Sequence, residues 1–272
     1  MVPLLFSLCL SRPLPNISRW KASAIHLGIS AMVIATLSAL LALSWYPPTY
    51  VWAMGGQSLI AILVGVDIIL GPLLTLIVWN MEKPSLRFDM AVIVLLQMLA
   101  LGYGLYSMFW ARPVYMVFAI DRFDLVTAAA IPTTELKKVK REEFRSLPLT
   151  GPEIVAVQSP SDGAERTKIL FSAVSGGIDL PQLPQYYVPY SEMAAEAVRK
   201  ALPLDSLLQR DAATRSKLLT YLEGHKLDQA KLKFLPLQAT QNDQTVLLDS
   251  ATGAILDIVD IDPWLQTATD SR

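Results

Sequence analysis

One cysteine, Cys9, and two histidines, His26 and His225, are all that this 272-residue chain offers of the side chains that most often build redox pairs and metal centres. A lone cysteine excludes an intrachain disulfide, a CxxC pair and any multi-cysteine metal site, so neither a metal nor another cofactor is expected. The sequence contains no GxSxG, no HExxH and no glycine-rich phosphate loop, which removes the common signatures of hydrolases, metalloproteases and nucleotide binders. Charge is scarce in the first part of the chain. Of 23 basic and 24 acidic side chains, only Arg12, Arg19, Lys21, Asp67, Glu82, Lys83, Arg87 and Asp89 precede Ala111. The rest is close to neutral, with no basic patch of the kind that binds nucleic acid.

What is present in that charge-poor half is apolar length. Spans are expected at about 22–43, 59–79 and 90–110, each near the ~20 residues that a helix needs to cross a bilayer core. In the first span Gly28, Ala31, Ala35 and Ala39 recur at spacings of three and four, a small-residue stripe along which another helix can approach closely. Trp45 and Tyr46 mark a membrane edge, and Pro47-Pro48 end the helix. His26 falls near the other edge, where an interfacial role is expected. The connection 44–58 carries no charge at all.

The second span holds the most informative stretch, GVDIILGPLLT from Gly65 to Thr75. A carboxylate near the middle of a membrane helix costs at least ~2.5 kcal/mol on insertion scales. Pro72 removes a backbone donor and crowds the preceding turn, so the helix is expected to kink or loosen at Gly71-Pro72. Asp67 lies twelve residues before Trp79, ~18 Å at 1.5 Å per residue. That depth points to Thr36 on the first span and Tyr103 on the third as its hydrogen-bond partners, with Gln97 a poorer match. Asp67, Gly71, Pro72, Thr36 and Tyr103 therefore form the candidate intramembrane site. Asp67 either packs the helices together or meets a charged group from a partner.

Arg12, Arg19 and Lys21 precede the first span, Lys83 and Arg87 follow the second, and the loop between carries none. The positive-inside bias then places the N-terminus in the cytoplasm and everything beyond Trp110 on the far side. Residues 1–17, whose apolar run LLFSLCL is too short to span, are expected to be a disordered extension ahead of the functional start. Residues 18–110 form the transmembrane domain and 111–272 a periplasmic α+β domain with a small antiparallel sheet. In that domain 113–126 reads as two strands turning at Asp121-Arg122, 154–158 and 169–174 as a strand pair, 134–145 and 205–223 as helices, and Asp249–Gly253 as a hairpin turn.

Several local motifs recur in one known family. Ser18-Arg19-Trp20-Lys21, Trp45-Tyr46-Pro47-Pro48, Gly65-Val66-Asp67, Gly71-Pro72-Leu73-Leu74-Thr75, Lys83-Pro84-Ser85-Leu86, Ala111-Arg112-Pro113-Val114, Asp121-Arg122-Phe123 and Asp262-Pro263-Trp264 resemble the TfpX/TfpZ type IV pilin accessory proteins, whose relatives include FimB. The resemblance is densest from Ser18 to Phe123. It implies a non-enzymatic inner-membrane protein that assists assembly of its cognate major pilin, with components of the pilus assembly machinery and the lipid bilayer as further partners. It supplies no catalytic residues. Two other classes stay open on the residues alone: a membrane-anchored periplasmic enzyme, and an ion or proton relay built on Asp67.

Overall fold

The computed structural model describes residues 17–47, 50 and 53–264, so nearly all of the expected N-terminal extension lies outside the described residues. The chain divides into two compact units. One comprises the chain up to Leu41 together with Gln57–Met108; the other comprises Ala42–Gly56 together with everything from Phe109 onward.

The first unit is helical because its apolar residues leave the backbone no polar surroundings, and a helix satisfies every internal N–H and C=O within the segment. Helix α1 runs from Arg19 to Ser44. The second rod is composite. Helix α2 (Gly56–Val64) passes into a π-helical turn (Gly65–Leu70) and then into α3 (Gly71–Val78). Helix α4 runs from Leu86 to Ala111. All three rods are long and apolar enough to cross a membrane. The π-turn occupies the place where sequence predicts loosening. Pro72 has no N–H to give and would clash with the carbonyl four residues back. The residue before it, Gly71, bonds instead to Val66 O, five residues back.

The second unit is an α+β domain, but its sheet is neither small nor purely antiparallel. Strands β1 (Pro113–Ala119), β2 (Arg122–Thr127), β3 (Glu153–Val157), β4 (Tyr187–Pro189), β5 (Leu202–Pro203), β6 (Leu232–Gln238), β7 (Gln244–Asp249) and β8 (Ile255–Val259) form one eight-stranded sheet. Its order is β4-β3-β1-β2-β6-β7-β8, with β5 on β6. The β1–β2 and β7–β8 hairpins are antiparallel, whereas β3 lies parallel to β1 and β6 parallel to β2. Those parallel pairs come from long crossovers, which leave no local mark on the sequence.

Two expected elements change type. Residues 169–174 lie not in a strand but in helix α5 (Gly163–Val174), started by Asp162, whose carboxylate accepts from the N–H groups of Ala164 and Glu165. The expected helix 134–145 is broken into one α-helical turn, Thr133–Leu136, and a separate 3-10 turn, Glu142–Phe144. Beyond them Arg145 donates to the carbonyls of Val139 and Lys140, so a side chain does what helical N–H groups would have done. Likewise 205–223 is two helices, Asp205–Leu208 and Ala212–His225, divided by the capping Asp211.

The domain boundary also differs from the expected division at 110/111. The charge-free loop after α1 belongs to the sheet unit. Ala53 is fully buried in a core cluster with Met116, Phe118, Leu235 and Val246, and Tyr50 and Met54 pack against it. Gln241 N–H donates to Ala53 O at 2.9 Å, and Gly151 N–H donates to Ser44 O at 2.7 Å. Ala53, Tyr50 and Met54 thus serve the core of the sheet unit.

Candidate functional site: a polar network inside the helical unit

The three rods meet around four polar side chains. His26 on α1 places Nδ1 2.6 Å from Thr75 Oγ1 on α3 and Nε2 2.9 Å from Gln97 Oε1 on α4. Gln97 Nε2 lies 3.4 Å from both the carboxylate Oδ1 and the backbone carbonyl of Asp67. Since Gln97 turns its amide nitrogen to Asp67, its oxygen faces His26. His26 Nε2 then carries the proton, and Nδ1 accepts from the Thr75 hydroxyl. Every donor therefore points the same way: Thr75 to His26, His26 to Gln97, Gln97 to Asp67. Ser23 adds a bond from α1 to Pro72 O at 2.9 Å.

Local sequence explains how these groups can meet. The π-turn carries Asp67 into the interior, where it is 5% exposed. Gly71 then leaves room for Gln97. A Cβ built on Gly71 would overlap the Gln97 amide nitrogen and stand 2.7 Å from its Cδ. Among the described residues, Asp67 Oδ2 is buried and has no hydrogen-bond partner. A cavity of about 450 Å³ opens beside it, walled by apolar groups such as Ile25, Ile29, Val94 and Met98 with His26, Asp67, Thr75 and Gln97 in its lining.

The expected partners of Asp67 fare differently. Thr36 bonds to Met32 O on its own helix, and Tyr103 is 74% exposed. Gln97, the poorer match by depth, is the residue in contact. Hydropathy places the start of the third span at Met90, but the helix begins at Leu86. Gln97 thus lies eleven residues in, ~16 Å deep, level with Asp67. His26 was missed because one polar residue near a span end reads as interfacial; only its alignment with Thr75 and Gln97 shows otherwise. The small-residue stripe turns away from this network. Gly28, Ala35 and Ala39 are exposed, Ala31 is half-buried, and the inward face of α1 is Ala22, Ser30, Ile34 and Leu41.

The sheet unit has its own half-satisfied acid. Asp124 on β2 receives a bond from Arg122 Nε at 3.3 Å on Oδ1, while Oδ2 is buried with no partner among the described residues. Burial pushes its carboxyl up to about 6, against the opposing pull of Arg122. No group of three or more His, Cys, Asp or Glu placed to hold a metal ion occurs among the described residues.

Fold and site together define a class: three bilayer-length helices tied by an internal polar network, followed by a mixed-sheet α+β domain. Comparison with known proteins narrows this. The chain is 32% identical over 247 residues to the fimbrial assembly protein of serogroup I from Dichelobacter nodosus, covering 90% of this chain and 95% of that protein. The serogroup E1 protein of the same organism is 31% identical over the same share of each, and that of serogroups C1 and C2 is 36% identical over 118 residues, 43% of this chain. The chain belongs to this fimbrial assembly protein family. No family model matches it, and no solved structure does.

Proposed function

We propose that the chain is an accessory protein of type IV fimbrial biogenesis that spans the inner membrane three times and acts on the major fimbrial subunit. The observation that carries this is the near full-length likeness to proteins named for fimbrial assembly, in a chain whose helical unit has bilayer dimensions. The N-terminus and the 79–86 turn face the cytoplasm, where Lys21, Lys83 and Arg87 cluster, and the sheet domain faces the periplasm. A fimbrial subunit held by an apolar helix in the same membrane can then be engaged twice, within the bilayer and beyond it. The exposed small-residue stripe of α1 offers close helix approach, and the sheet domain offers a second surface.

Within this scheme the Asp67 network fixes the helices relative to one another. A proton relay gains a second titratable group in His26, but the amide of Gln97 stands between it and Asp67. An amide does not pass a proton on without leaving its stable tautomer, so the network positions rather than conducts. The test is deletion of the gene with complementation, counting surface fimbriae and total subunit. Loss of surface fimbriae, restored by the wild-type chain, is expected; undiminished fimbriation in the deletion strain would overturn the proposal.

A further inference from the structure

The cavity beside Asp67 carries a chemical demand that the network does not meet. Its walls are aliphatic, and lipid tails or any apolar helix would fill them equally well. Its one acid is different. Apart from His26, Asp67 is the only acidic or basic residue between Lys21 and Glu82, and the facing stretch of α4 from Met90 to Ala111 has none. His26 is the only other titratable group lining the cavity, and both its ring nitrogens are engaged, by Thr75 and by Gln97. Oδ1 accepts from Gln97, while Oδ2 is buried with no partner among the described residues, on a side chain that belongs to the cavity lining. One donor in the network reaches this carboxylate, the Gln97 amide, and it does so through Oδ1. A buried carboxylate in hydrocarbon without a counter-charge is expensive, and such groups are usually paired.

Depth limits where a counter-charge can come from. Asp67 sits ~18 Å from the Trp79 end, about mid-way through a ~30 Å hydrocarbon core. The amines of lipid headgroups stay at the bilayer surface and do not reach that level. A cation carried into the membrane on a helix does. At about 450 Å³ the cavity is within the ~300–1,000 Å³ range of ligand sites, enough for side chains from one face of such a helix but not for the helix itself.

We propose that this cavity is a docking site for an apolar membrane helix of a partner protein that presents one positively charged group to Asp67 Oδ2. The inference rests on the three-span reading and not on the identity of the partner.

The test uses the purified full chain in phosphatidylcholine vesicles with synthetic transmembrane peptides of leucine and alanine, one bearing a central lysine and its twin a central leucine. Association is read by energy transfer between a label on the chain and one on the peptide. The lysine peptide should associate at least tenfold more tightly than its twin. Asp67→Asn keeps the size and can still accept from Gln97, so it should fold normally yet abolish the lysine preference. Met98→Trp, which fills the cavity wall without touching the acid, should weaken the lysine peptide as well. Equal association of the two peptides with the wild-type chain would overturn the proposal, as would a lysine preference that survives Asp67→Asn. The three spans are tested separately by reporter fusions, so failure here with three spans confirmed removes the cation site alone.

Discussion

Replacing Gly71 by alanine sets two physical effects against each other, and the structure decides the sign. By helix propensity alone, alanine is better than glycine in a helix interior by up to ~1 kcal/mol. In this fold the added methyl would occupy the space of the Gln97 amide. That side chain is flexible and would swing away, but it holds three contacts: one to His26 and two to Asp67. Interhelical hydrogen bonds in membranes are worth ~0.6 kcal/mol on average and ~1.7 at most. Losing all three costs ~2 kcal/mol, and leaving Asp67 with no donor adds to this. Gly71→Ala should therefore destabilise the helical unit by about 1–2 kcal/mol, net of propensity. A double-mutant cycle with Gln97→Ala isolates the cause, read as unfolding in mixed detergent. With Gln97 already truncated, Gly71→Ala should be neutral or stabilising. Stabilisation by Gly71→Ala in the wild-type background, or an equal loss in both backgrounds, would refute the contact described for Gly71 and Gln97.

Other consequences are as open to measurement. Asp124 has its folded pKa raised from its ordinary 3.8 to about 6, so its contribution to stability is fully present below about pH 4 and is lost as pH rises through 6. At 1.36 kcal/mol per unit the loss is about 3 kcal/mol, and Asp124→Asn should flatten that part of the stability–pH curve of the full chain; an unchanged slope would contradict the burial of the carboxyl. Ala53→Leu should overpack the sheet-domain core and cost ~1–3 kcal/mol, whereas a loop that merely links two spans would tolerate it. Reporter fusions after Gly151 should be active outside the inner membrane and fusions after Ser85 inside, and the reverse pattern would invert the proposed orientation.

The helical half was legible because its signal is compositional: long uncharged runs, and a proline whose missing donor forces the turn ahead of it to reorganise. The π-turn at Gly65–Leu70 follows from Gly71-Pro72 in just this way. What sequence could not give was which faces meet. Depth counting named Thr36 and Tyr103, and a four-residue error in the start of α4 was enough to pass over Gln97. The small-residue stripe was legible as a packing face, but nothing in its spacing says whether the neighbour is in the same chain; in the fold it points outward. In the sheet domain, adjacent hairpins such as β1–β2 could be read from the turn at Asp121-Arg122. The parallel pairings of β3 and β6 could not, since they join segments far apart. The apolar run at 169–174 reads as a strand by composition, although Asp162 ahead of it is a helix cap. The loop carrying Ala53 was hardest of all. Its lack of charge fits a membrane surface and a buried core equally well.

The most direct test of the central claim, that this chain acts on the fimbrial subunit within the membrane, is site-specific photocrosslinking in fimbriated cells. A photoreactive residue at Met98 in the cavity wall, or at Ile29 facing it from α1, should yield an adduct of the chain with the major fimbrial subunit. Fimbriae assembling normally with no subunit adduct from either position would contradict it.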